Sequence, residues 1–123
     1  MDRAIAIEEL NVVAWLLANA AMVDVSNLRA DSLQGARVIA GCDCGCASID
    51  FVRAGEIVDS SIAADALTFW PDGSRGGVIL WAGQDRILGI ELYDVDPSSS
   101  HRFPTVDVLR RWEDFYEEDG SAR

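Results

Sequence analysis

Between residues 65 and 94, two short turn signals separate three apolar runs, and this leaves the chain few ways to fold. The runs "DALTFW" and "GGVILWAG" flank "PDGSR", and "GGVILWAG" and "RILGIELYD" flank "GQD". Gly and Asp accept turn conformations that branched residues resist, while alternation of apolar and polar residues buries one side of a strand. The pattern predicts an antiparallel meander with one face polar enough to be wet. In the last strand Ile87, Gly89, Glu91 and Tyr93 are expected on one side, and Leu88, Ile90, Leu92 and Asp94 on the other. Upstream, "ARVIAGC" and "ASIDFVR" read as two more strands joined through a Gly/Cys segment, making about five in all.

Before residue 36 the apolar period is helical. Residues 5–22 place Ile7, Leu10, Ala14, Leu17 and Ala21 at three- and four-residue spacings, with Val13, Leu16 and Ala18 widening the stripe. Glu8 and Glu9 fall in the first turn, where the helix dipole favours acids. A second, short helix is expected through "NLRADSLQ", capped by Asp24 or Ser26, closed by Gly35 and held by Leu28 and Leu33. After the loop "DVDPSSSHRFP", the stretch "TVDVLRRWEDFY" predicts a closing helix capped by Thr105 that buries Val108, Leu109 and Trp112. The fold class is therefore α+β: N-terminal helices, an antiparallel meander of about five strands and a short C-terminal helix. One domain is expected over residues 1–123, helical in 1–35, sheet in 36–96, loop and closing helix in 97–123.

Composition narrows the functional classes. Half of the 123 residues are hydrophobic and 25% are charged, as in a folded globule. Ten basic residues, all arginine, face 21 acids, for a net charge of −11. Nucleic acid phosphates would be repelled by that charge, whereas a basic protein partner would be attracted. No apolar run reaches the ~18–20 residues of a membrane span. The N-terminal "MDRAIAIEEL" lacks the basic, then apolar, order of a signal peptide, so a cytoplasmic location is expected. A homodimer built by edge pairing of a strand such as "ILGIELY" fits the pattern as well.

Few residues suggest chemistry. Cys42, Cys44 and Cys46 in "GCDCGCASIDF" are the only cysteines, and His101 the only histidine. Together they match the Cys3His count of structural zinc, but the spacing fits poorly. Zinc-bound sulfurs lie roughly 3.8 Å apart, whereas alternate residues of a strand are ~6.6 Å apart. The segment would have to curl at Gly45, and neither a C-x2-C knuckle nor a C-x-x-C redox pair is there. The favoured reading is three small residues in a Gly-relaxed bend that feeds a buried strand through Ile49 and Phe51, with metal or thiol chemistry as the alternative. His101 with Asp94 or Asp96 lacks a nucleophile elbow. A calcium loop beginning at Asp94 fails at Ser99 and Thr105, where Gly and Glu are needed. "GSRGG" lacks the Lys and spacing of a phosphate loop, so no cofactor is expected. Trp15, Trp70, Trp81 and Trp112 read as anchors of one core.

The order "AWLLANA…LRADSLQGARVIAGCDCGCASIDF…GGVILWAGQDRILGIELYDVD…FPTVDVL" resembles a group of small, uncharacterised bacterial proteins of actinobacterial type. They are similar in a Trp-Leu-Leu helix, a C-x-C-G-C-x-S-[IV]-[DN] segment and a late hairpin. The resemblance implies an α+β fold and brings no activity or ligand. The expected function is non-enzymatic protein–protein contact, such as an immunity-type inhibitor makes with a basic toxin. The cysteine alternative is checked by element analysis and thiol titration of protein purified without chelator. Three freely titrating thiols and no bound zinc or iron are the expected result.

Overall fold

The computed structural model describes residues 3–20, 24–41, 48–52, 59–83, 86–94, 103–112 and 114. In chain order its elements are β1 (Arg3–Ala4), α1 (Ile7–Ala18), a 3-10 turn (Ala30–Leu33), β2 (Arg37–Val38), β3 (Ala40–Gly41) and β4 (Ile49–Asp50). Then follow β5 (Ser61–Phe69), β6 (Arg75–Ala82), β7 (Ile87–Asp94), a second 3-10 turn (Val106–Val108) and β8 (Leu109–Arg110). The fold is α+β, as the change of apolar period predicts. No helix among the described residues is long and apolar enough to cross a membrane.

The turn chemistry works as read. Asp72 Oδ1 accepts from the Ser74 N–H (2.9 Å) and hydroxyl (2.6 Å). Gly73 takes φ 89°, which a Cβ would oppose, and Trp70 N–H closes the turn on the Ser74 carbonyl (3.0 Å). Strands β5, β6 and β7 therefore form a meander. The whole main sheet is broader, in the order β3-β4-β7-β6-β5-β8, with every neighbour antiparallel. The β3–β4 pair docks on the far side of β7, and β8 on the far side of β5. Strand β7 thus has β6 along one side and, among the described residues, β4 paired with its Gly89 and Ile90 on the other. A separate two-stranded sheet joins β1 to β2.

Helix α1 covers one face. Its Val12, Val13 and Leu16 are buried with Ala64 and Ala66 of β5, Val78 and Leu80 of β6, and Ile90 of β7. This corrects the predicted stripe: Ile7 is 63% exposed, and Ala14 and Ala18 face solvent. The buried set is completed by an acid, Glu9, because a cation reaches it. Arg3 of β1 donates from both terminal nitrogens to Glu9 Oε1 (2.9 Å) and Oε2 (2.6 Å), and Ala6 N–H donates to Oε1 (2.7 Å). Burial pushes the Glu9 carboxyl up, but Arg3 and the Ala6 N–H outweigh it and hold it below its ordinary value.

Four other expectations change. The second helix is only the 3-10 turn Ala30–Leu33, although Gly35 closes it at φ 77° and Leu33 is buried. Thr105 does not start an α-helix. Its hydroxyl bonds Asp107, the backbone makes one 3-10 turn, and Leu109–Arg110 pair with β5, so helical backbone is reached only at Trp112. Val108 and Leu109 are still buried, but Trp112 is 38% exposed. In β7 a register shift opposite Trp81 and Ala82 pairs Ile87 with Ala82 and turns it into the core beside Ile90. Leu88 is the extra residue of this bulge. Finally, of the four tryptophans only Trp15 packs on the main core.

Replacing Glu9 by Gln leaves the Arg3 guanidinium without its charge partner, at an expected cost of about 1–2 kcal/mol in urea unfolding at neutral pH. Because the folded carboxyl titrates below its ordinary value of 4.5, the pair's contribution is complete above that value. It is lost as pH falls through the lowered one. The difference between Glu9→Gln and the parent should therefore shrink on acidification below 4.5.

Candidate functional site

The sequence-predicted candidates Cys42, Cys44, Cys46 and His101 lie outside the described residues, as does Asp96. What is described is their frame. Gly41 and Ile49 are cross-strand partners, so both ends of the cysteine segment are held one inter-strand spacing apart. Ile49 and Phe51 are buried in the core, as read from the sequence. Asp94 ends β7. Among the described residues no group of three His, Cys, Asp or Glu side chains is placed to hold a metal ion.

The sheet face turned away from α1 is the distinctive surface, and the register defines it row by row. Trp81 of β6 is flanked by Ile62 of β5 and Gly89 of β7, with Asp50 of β4 beyond Gly89. In the next row Ile79 lies between Asp65 and Glu91. In the third, Gly77 lies between Leu67 and Tyr93, with Arg110 of β8 beyond Leu67. The last pair is Phe69 and Arg75, whose guanidinium stacks 4.2 Å from the ring centroid. None of the apolar members Ile62, Leu67, Ile79 and Trp81 belongs to the core under α1. Ile62 is 43% and Tyr93 38% exposed.

Two glycines permit this packing. A Cβ on Gly77 would collide with the Tyr93 ring. A Cβ on Gly89 would come within 2.6 Å of Asp50 Oδ1 and 2.8 Å of the Ile49 carbonyl. Asp50 thus leans over Gly89, toward the side where Trp81 stands. Trp81 is held by its indole N–H, which donates to Glu91 Oε1 at 2.9 Å. Ser48, at the start of β4, accepts from the Leu92 N–H through its hydroxyl (2.8 Å), fastening β4 to β7 beside Glu91.

Charge on this face is one-sided where the aromatics cluster. Asp50, Asp65 and Glu91 have no ion-pair partner among the described residues, where the paired acids are Glu9, Asp31 and Asp114. Burial pushes the Asp50 carboxyl above its ordinary range with no compensating cation. Burial also pushes the Tyr93 hydroxyl up, and the negative fields of Asp65 and Glu91 push it further. The arrangement resists proton release and favours an approaching cation. Chemically it offers aromatic faces and carboxylates to a cationic group, with no nucleophile–base pair within it.

Sequence reasoning expected one polar face of the meander with Gly89, Glu91 and Tyr93 on it, but missed Asp50, Asp65 and Trp81 as its members. Asp65 and Glu91 look like ordinary solvated residues of alternating strands, and Trp81 reads as core. The available signal was their company: acids and aromatics share one parity across three strands whose inward parity is mostly aliphatic.

No protein-family model matches the chain, and comparison with curated proteins and with solved structures gives no match.

A carboxylate kept half-buried and unneutralised lowers stability, which natural sequences tolerate chiefly at functional positions. Since its folded carboxyl titrates above the ordinary 3.8, the penalty is nil in acid and grows as pH rises through the raised value. Asp50→Asn should therefore stabilise the protein at neutral pH, by no more than about 0.5 kcal/mol once solvent screening of the partly exposed carboxylate is counted. In acid it should change nothing, and paired urea titrations at the two pH values check both.

Proposed function

We propose that this chain is a non-enzymatic, cytoplasmic binding domain whose open sheet face receives a basic protein. The observation that carries this reading is the joint placement of Trp81, Tyr93, Ile62 and Ile79 with three carboxylates that lack a cation. Exposed aromatics supply the area and rigidity that anchor protein interfaces, and Trp and Tyr are favoured as anchors. The carboxylates add steering and selectivity for arginine or lysine over other side chains. Net charge works in the same direction, because −11 over a small domain repels acids and nucleic acid at long range. A small acidic inhibitor that covers the cationic surface of a toxin, as immunity proteins do, is a role of this kind.

The test uses an arginine-rich protein as probe, followed by Trp fluorescence at low and moderate salt. Tight binding that weakens with salt is expected. Asp65→Arg combined with Glu91→Arg should weaken it about tenfold or more, while Glu8→Arg, on the exposed side of α1, should leave it nearly unchanged. Equal loss in both variants, or no binding at either salt, removes the reading.

A further inference from the structure

We infer that the edge of β5 from Ser61 to Ala66, which no described residue pairs on the side of β8, takes up an extended basic segment of the partner as an added strand. The inference rests on the proposed binding of a basic protein and specifies how the partner is held. Strand β5 is the longest in the sheet, pairing with β6 from Ser61 to Phe69. On its other side β8 pairs only with Leu67 and Thr68. Beyond that point Arg111 is no longer in a strand, and the backbone is helical at Trp112 and Asp114. Among the described residues nothing pairs with residues 61–66 on that side. Six residues span roughly 20 Å, the length of an ordinary strand.

The protein's own β8 shows what this edge accepts. Leu109 faces the core beside Thr68, while Arg110 stands opposite Leu67 in the outer row that contains Tyr93. A strand continuing that line meets Ala66 next and then Asp65. Its outward residue there lies beside the exposed Asp65 carboxylate, one strand from Ile79 and two from Glu91. Its inward residues lie beside Ala66 and Ala64, both buried under α1, which calls for apolar side chains. The site thus selects alternation: basic outward, apolar inward. Main-chain bonds would supply affinity and the alternate side chains specificity.

A second copy of this chain fits less well. Two β5 edges would bring two acidic faces together, each from a chain of net charge −11. The register shift at Ala63 also twists the edge, a device that discourages flat pairing of identical strands. A basic strand gains from the same charges and is free to adapt its register.

The probe is a synthetic heptapeptide of alternating Arg and Val, with two analogues N-methylated on one or the other alternate set of amides. Hydrogen exchange of the protein, Trp fluorescence and the dissociation constant are followed for each. Strand addition predicts that amides within residues 62–66 slow on binding. It also predicts that one methylated analogue binds about tenfold or more weakly, while the other binds like the parent peptide. Asp65→Lys, an exposed position checked for fold by circular dichroism, should weaken the parent peptide by a similar factor. Equal binding of both analogues with unchanged exchange at 62–66 overturns strand addition, yet a fluorescence response that Asp65→Arg with Glu91→Arg abolishes keeps the open face as the binding site. If the unmodified peptide does not bind at low salt, both readings fall.

Discussion

The Arg3–Glu9 pair sets the geometry on which the rest of the molecule is built. Arg3 sits in β1, β1 pairs with β2, and β2 runs through a single residue into β3 of the main sheet. Glu9 sits in the first turn of α1. Joining the two residues therefore fixes where the helix starts relative to the sheet it must cover. The pair also uses the carboxylate twice, since the same Glu9 oxygen that meets Arg3 accepts the Ala6 N–H at the head of the helix. Glu9 is the buried member of the pair and Arg3 is partly exposed, so the desolvation to be offset is chiefly that of the carboxylate, and the extra hydrogen bond helps to offset it. A charge that would otherwise oppose burial of α1 thus directs it.

From that start the sheet divides into two unlike sides. Under α1 the residues are small or aliphatic, and the three alanines Ala63, Ala64 and Ala66 let the helix approach β5. On the other side large side chains stand over glycines: Tyr93 over Gly77, and Asp50 over Gly89. The glycines give up strand propensity, and the neighbouring ring covers the backbone they expose. Both sides are packed, but only one is closed.

Much of this was legible in the sequence, and the failures have physical causes. The β5–β6–β7 meander was readable because turn chemistry is local: Asp72, Gly73 and Ser74 interact with one another and need no tertiary partner. The burial of α1 was misread because Glu9 resembles a solvent-facing acid until Arg3, six residues away, is brought to it by strand pairing. Ile87 was assigned to the wrong side because a bulge adds one residue and inverts every parity before it. The helix expected from Thr105 gave way where β5 offered Leu109 a buried strand position worth more than local propensity. Trp81 was taken for core because size alone suggests burial. Its indole N–H instead found Glu91 two residues beyond its cross-strand partner. A polar face was expected, but which residues of β4, β5 and β6 join Glu91 and Tyr93 on it depends on the cross-strand register, which no single strand displays.

One consequence of the one-sided sheet concerns how such a molecule changes over generations. Helix α1 and the aliphatic side of the strands are tied together by volume, so substitutions there must be matched by others. The opposite side carries charge and aromatic area over a backbone already secured from beneath. Residues such as Asp65, Ile62 and Glu91 are exposed or nearly so, and drift at these positions changes what the surface attracts without disturbing what keeps it folded. Lineages that share this scaffold can therefore part company in their partners long before they part company in their architecture.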